Sequence, residues 1–178
     1  MKSIYIQSEN PEHHWNYLSV DNQIVLDLGC GKHLVEDNWL TTPEFFLSKG
    51  ADIVIGVDPH GDDIEWYCKN IERPIDTQSK GQTIFFEDYI DSVEKIERYI
   101  NYFKVTSLKM DIEWNEKHFI NSDNQFPTLK YIAVETHSRE LFHDMLFKLL
   151  SLNFTITHVG MFYPRVRDIC NIIYAQRN

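Results

Sequence analysis

Cysteine, glycine and positive charge are all scarce in this sequence. The three cysteines, Cys30, Cys68 and Cys170, lie far apart and form no CxxC pair. That pattern argues against a disulfide framework and a cysteine-based zinc site, and points to a reducing compartment. With 7 glycines in 178 residues, the chain holds neither a G-x-G-x-x-G dinucleotide fingerprint nor a GxxxxGK[ST] phosphate loop. Lysine and arginine total 17 against 27 aspartates and glutamates, a formal net charge of -10. The basic footprint of a nucleic-acid binder and the polybasic patch of a membrane-surface protein are therefore missing. No stretch approaches the ~20 apolar residues of a membrane helix, and MKSIYIQSENPEHH has no apolar core of signal-peptide length. The expectation is a cytoplasmic protein that engages neither nucleic acid nor membrane.

What is present suffices for one domain. A hydrophobic fraction of 43% supplies a core, and 25% charged residues is ordinary for a globular chain. No repeat or Pro/Gly/Ser-rich linker divides the sequence, so residues 1–178 are read as a single domain with 1–20 as an N-terminal extension packed on it. In that extension SIYIQ reads as a short strand, and PEHHWNYLS as a helix capped by Asn10 with Pro11 in its first position.

The rest alternates between two periods. QIVLDLG (23–29) and ADIVIGVD (51–58) are apolar runs of the kind buried on both faces of a parallel sheet. TIFFE (83–87), VTSLKMDIE (105–113) and LKYIAVE (129–135) continue the series. Between them come a helix within 32–50 that restarts at Thr42-Pro43 and stops on Gly50, a helix over 62–71, and an amphipathic helix over 88–103. The latter has apolar residues at 90, 93, 96, 100 and 103. NEKHFI reads as a short helix or turn. Ser138 caps a helix over 138–152 whose core stripe is Leu141, Phe142, Met145, Leu146, Leu149 and Leu150. Strands over 153–160 and 167–176 close the chain as an antiparallel hairpin. Such alternation implies a doubly wound α/β sheet with helices on both faces.

Ligands of such sheets bind beyond the carboxyl ends of the strands, so the residues ending each strand carry the functional information. The first strand ends in Asp27-Leu28-Gly29-Cys30-Gly31, where glycine lets backbone approach a ligand. The second ends in Asp58-Pro59, an acid suited to ribose hydroxyls. The third ends in Glu87-Asp88, the fourth in Asp111-Ile112-Glu113, and the fifth in Glu135-Thr136-His137. Each has a plain alternative: GxG and Asp58-Pro59 as turns, Asp88 as the cap of the next helix, Glu113 as a solvated acid. A row of carboxylates on one edge costs stability unless a ligand uses it. A ligand with ribose but no pyrophosphate fits this edge.

VLDLGCG followed by VIGVDPH resembles the class I S-adenosylmethionine-dependent methyltransferases from about residue 23 onward. The resemblance implies a Rossmann-like, mostly parallel seven-stranded sheet with a C-terminal antiparallel hairpin. It implies S-adenosyl-L-methionine as cofactor, held by Asp27, Gly29, Cys30, Gly31, Asp58, Pro59, Glu87, Asp88 and Asp111. The family's third loop glycine is absent, with Lys32-His33-Leu34 in its place. SLKMDIEWNE with YIAVETH further resembles the FkbM-type methyltransferases, whose pattern K-x-D-x-E-G-x-E is met by Lys109, Asp111, Glu113 and Glu116, with Trp114 replacing the glycine. This narrower likeness implies methylation of a hydroxyl on a small molecule or sugar.

Lys109, Asp111 and Glu113 are two apart, so a strand running to 113 would point them to one face, toward the transferred methyl. A Lys109–Asp111 ion pair is the plainer reading. Candidate catalytic residues are Lys109, Asp111, Glu113 and His137, with Glu135 a further candidate base; His137 has the most suitable ordinary pKa. Asp111, Glu113 and Glu135 offer hard oxygen ligands, so a divalent metal is the lesser reading, and no metal ligand is assigned. Glu12-His13-His14 reads as a solvated face. The partner expected is a small-molecule substrate, with a homodimer compatible with so short a chain. The rival readings are a non-catalytic binding or assembly module and an N-methyltransferase, the latter disfavoured for nucleic acid by the missing N/D-P-P-Y motif and the acidity.

Overall fold

A computed structural model describes residues 15–30, 42–60, 81–162 and 170–177. The readings of 1–14, of the helix over 62–71 and of Gly31 lie outside the described residues. Seven strands form one sheet: β1 Ile24–Leu28, β2 Ile53–Asp58, β3 Gln82–Glu87, β4 Ser107–Met110, β5 Tyr131–Thr136, β6 Thr155–Phe162 and β7 Cys170–Gln176. Their order is β3-β2-β1-β4-β5-β7-β6. β1 to β5 run parallel, and β7 pairs antiparallel with both β5 and β6. The described helices are α1 Thr42–Ser48, α2 Val93–Phe103, α3 Lys117–Ile120 and α4 Arg139–Ser151. This is a Rossmann-like fold whose strand order switches between β1 and β4.

Strand alternation divides the core into two layers. Leu26, Leu28, Ile55, Val57, Leu108 and Met110 pack against the α2 and α4 side, where Ile96, Ile100, Met145 and Leu149 are buried. Val25 and Val54 face the other way, onto Trp15, Leu18, Phe45 and Phe46. The described end of the N-terminal extension therefore helps seal the second face.

α2 and β4 depart furthest from the sequence pattern; β6 is shifted by two residues, Thr155–Phe162 against 153–160. α2 begins at Val93, with Ser92 extended as its N-cap, rather than at residue 88. The reason lies in Asp88, whose carboxylate accepts from Lys95 Nζ at 2.8 Å and Tyr99 hydroxyl at 3.0 Å. A side chain pulled onto α2 from outside holds residues 88–92 off the helix, so Asp88 is not its cap. β4 stops at Met110 rather than 113. Beyond it Glu113 and Trp114 take left-handed backbone angles, φ 47 and 74, which no strand accommodates. In α4 the expected cap is present, Ser138 accepting from Leu141 N–H at 3.1 Å. Its stripe is narrower than expected: Met145 and Leu149 are buried while Leu150 is exposed.

Candidate functional site

A cavity of about 310 Å³ opens at the carboxyl ends of β1 to β4, lined by Gly29, Val57 to His60, Asp88 to Ile90, Asp111 to Glu113 and Asn115. Its position beside the β1/β4 switch is where this topology gathers strand ends.

Gly29 forms one wall for a steric reason. Its φ is +73, and a Cβ there would stand 1.7 Å from the Asp111 carbonyl oxygen. Leu28 accepts from Asp111 N–H, and Val57 accepts from Gly29 N–H. The glycine thus serves the close meeting of β1 and β4 backbone first, and any ligand second. On the neighbouring wall Asp58 Oδ1 accepts from His60 N–H at 2.9 Å, a local turn that fixes the carboxyl at the cavity edge. Asp88 is held opposite by Lys95, Tyr99 and Arg98. Burial alone would raise its pKa, but these hydrogen bonds and the Lys95 and Arg98 charges outweigh that and hold it below the usual carboxylate range. Tyr89 reaches across the mouth, its hydroxyl accepting from Asn115 Nδ2 at 2.9 Å.

Of the residues expected to hold a cofactor, Gly29, Asp58, Pro59, Asp88 and Asp111 line the cavity. Asp27, Cys30 and Glu87 do not. Glu87 is exposed, and Cys30 is buried, its thiol pKa raised by that burial and by the Asp27 charge.

Lys109 is not on the cavity wall, which corrects the expectation that it faces the acids at 111 and 113. Parallel register sets it beside Asp27, and both side chains are fully buried. The pair is closed at 2.9 Å. Lys109 Nζ also donates to the Gly29 carbonyl at 2.5 Å and the Leu28 carbonyl at 3.3 Å, and sits 5.0 Å from the Trp15 ring centre. Burial alone would lower its pKa, but the Asp27 and Asp111 charges prevail and raise it. Lys109 therefore holds the glycine loop from beneath, and its ion partner is Asp27 rather than Asp111.

Above the sheet edge the other charged residues converge. His137 follows β5 and is nearly buried. Its Nδ1 lies 3.0 Å from Glu116 Oε1. Its Nε2 lies 3.5 Å from both Asp111 Oδ1 and Glu113 Oε2. Glu116 is fully buried, and its Oε1 also accepts from Ile112 N–H at 3.2 Å. One carboxylate thus ties the turn at 112–116 to the end of β5. Desolvation would lower the His137 pKa, yet the Glu116 hydrogen bond and the Glu116, Asp111 and Glu113 charges raise it to about 9. The ring is cationic at neutral pH, which corrects its choice as a ready base. Glu116 is the member of this cluster to which the strand-end reading gives no role; its place in the Lys109–Glu116 pattern is the signal for it. Glu135 lies within β5 and is not part of this group.

No protein-family model matches the chain, and no curated protein matches it. Solved structures do. A protein of the NADB-Rossmann superfamily from Streptococcus agalactiae matches with TM-score 0.61 at 11% identity, over 92% of this chain and 65% of that one. M. capricolum TrmK in complex with S-adenosyl-homocysteine matches with TM-score 0.59 at 12% identity, over 89% of this chain and 64% of that one. Magnesium protoporphyrin IX methyltransferase from Synechocystis with bound S-adenosylmethionine matches with TM-score 0.55 at 14% identity, over 89% of this chain and 71% of that one. Likeness at such identities is likeness of fold. The chain spans just under two thirds of the first two structures.

Proposed function

We propose that this protein is an S-adenosylmethionine-dependent methyltransferase of FkbM-like type, acting on a hydroxyl of a small molecule or sugar. The observation that carries the reading is the cavity at the β1/β4 switch, with Gly29 and Asp58 on adjoining walls and no phosphate loop in the sequence. Asp58 Oδ2 is the acceptor offered to a ribose hydroxyl, since Oδ1 is used by His60. Ile90, buried in the core and lining the cavity, offers an apolar surface for adenine beside Asp88. Solved structures of the same fold hold S-adenosyl-homocysteine or S-adenosylmethionine. The narrower family reading is supported at position 114, where the FkbM pattern has glycine and this chain has a left-handed Trp114.

The acceptor would enter beside Asp111 and Glu113. With His137 already charged, proton removal at neutral pH does not fall to a neutral imidazole, and positioning carries much of the rate. The acidic mouth and the net charge of -10 favour a small acceptor over a polyanion.

Calorimetric titration with S-adenosyl-homocysteine tests the reading. Wild type is expected to bind, and Asp58→Ala to bind at least tenfold more weakly, the loss of about one charged hydrogen bond. Absence of heat in folded wild type overturns the proposal; undiminished binding by Asp58→Ala removes the ribose assignment.

A further inference from the structure

The Asp111, Glu113 and His137 group has features that methyl-donor binding does not require. We propose that Asp111 Oδ1, Glu113 Oε2 and His137 Nε2 form a binding site for a divalent first-row metal ion of the Mn²⁺ type, with Glu116 orienting the histidine.

The three donor atoms lie within 4.8 Å of one another. Nε2 is 3.5 Å from each oxygen, too far for the usual hydrogen bond to a carboxylate. It is close to the spacing of neighbouring ligands around an ion. Metal–ligand bonds of about 2.1–2.3 Å place adjacent ligand atoms roughly 3.0–3.3 Å apart and opposite ones about 4.2–4.6 Å apart. A small inward movement closes the shell.

The second observation is Glu116. It is fully buried, and it meets His137 Nδ1 on the side away from the acids. Metal-ligating histidines donate their other ring N–H to such a carboxylate, which fixes the tautomer and leaves the opposite nitrogen's lone pair for the ion. Glu116 Oε2 is buried with no hydrogen-bond partner among the described residues, so the side chain brings more negative charge than its contacts consume. At neutral pH the ring carries a proton that the ion must displace from Nε2; the three carboxylates and the neutral ring then sum to -3, and a divalent ion brings the group to -1.

Two oxygens with one imidazole suit Mn²⁺ better than Mg²⁺ or Ca²⁺, which favour all-oxygen shells, and better than thiolate-seeking ions. Asp111 and Glu113 also line the cavity, so three protein ligands leave coordination positions open toward it. An oxygen-bearing acceptor could occupy one and be fixed against the cofactor; that role, unlike the ion site itself, rests on the methyl-transfer reading.

The test is Mn²⁺ titration of the full chain after chelator treatment, followed by loss of the free-ion electron paramagnetic resonance signal. One ion per chain is expected. Glu113→Gln, at a side chain 78% exposed and so safe for folding, should weaken binding at least tenfold. His137→Ala should abolish it, and Glu116→Gln should weaken it about tenfold, as loss of a ligand's support does. If His137→Ala fails to fold, Glu113→Gln decides. No stoichiometric Mn²⁺ up to millimolar concentration, or binding unchanged in Glu113→Gln, overturns the site. S-adenosyl-homocysteine titrated separately keeps the two proposals apart: Mn²⁺ without the nucleoside leaves the metal site standing, and the nucleoside without Mn²⁺ leaves only methyl transfer.

Discussion

Two charged centres lie within a few residues of each other around the end of β4, and they are built on opposite principles. Below the sheet edge Lys109 meets Asp27 with one charge of each sign, both fully buried, and the surplus donors of the ammonium go to the Gly29 and Leu28 carbonyls. Above it a single imidazole faces Asp111, Glu113 and Glu116. The first centre is balanced and sealed. The second is in surplus and open on the cavity side. A balanced buried pair can only hold structure, because any change leaves a charge uncompensated. A centre in surplus has capacity left for a cation.

Breaking the balanced centre should have the largest effect. Lys109→Met leaves Asp27 buried without its partner and is expected to cost about 3–5 kcal/mol of unfolding free energy. The double variant Asp27→Leu with Lys109→Met should recover most of that, measured by denaturant titration. If the double variant is no better than the single, the pair is not what holds the loop.

The open centre should respond to pH instead. In chelated protein the folded His137 pKa of about 9 exceeds the unfolded value of about 6.5. Its contribution is therefore complete below about pH 6.5 and is lost as pH rises through the folded value. The stability difference between wild type and His137→Gln should shrink by roughly 2–3 kcal/mol from about pH 6 to about pH 10. A His137 ring resonance titrating near its ordinary value would remove the effect.

The smallest effect sharpens the comparison at the turn between the two centres. Trp114 pays for a left-handed backbone, φ 74, while remaining about half exposed. Trp114→Gly should be more stable than Trp114→Ala by about 1 kcal/mol, seen as a higher thermal midpoint. The reverse order would show that the turn is not strained at that residue.

The sheet was legible because its information is local. Apolar runs such as IVIGV admit few placements other than a central strand, and Ser138 announces α4 one residue early. Of the residues singled out at strand ends, Gly29, Asp58, Asp88, Asp111 and Glu113 line one cavity, while Glu87, Glu135 and His137 do not. What escaped depends on register between segments far apart. Lys109 pairs with Asp27 across 82 positions because β1 and β4 lie side by side, and nothing near residue 109 names that partner. Glutamate and tryptophan do not advertise a positive φ, so the end of β4 was read three residues late. The start of α2 was missed because a tertiary contact of Asp88 overrode an apolar period that already fitted.

The meeting of Gly29 with the Asp111 carbonyl leaves no room for even a methyl group. The consequence is mechanical. At this point β1 and the end of β4 meet backbone to backbone, with no compressible side chain in between, and packed interiors pass on strain rather than absorb it. The glycine loop and the start of the 111–116 turn are therefore joined backbone to backbone, with Lys109 bonded to the Gly29 carbonyl underneath.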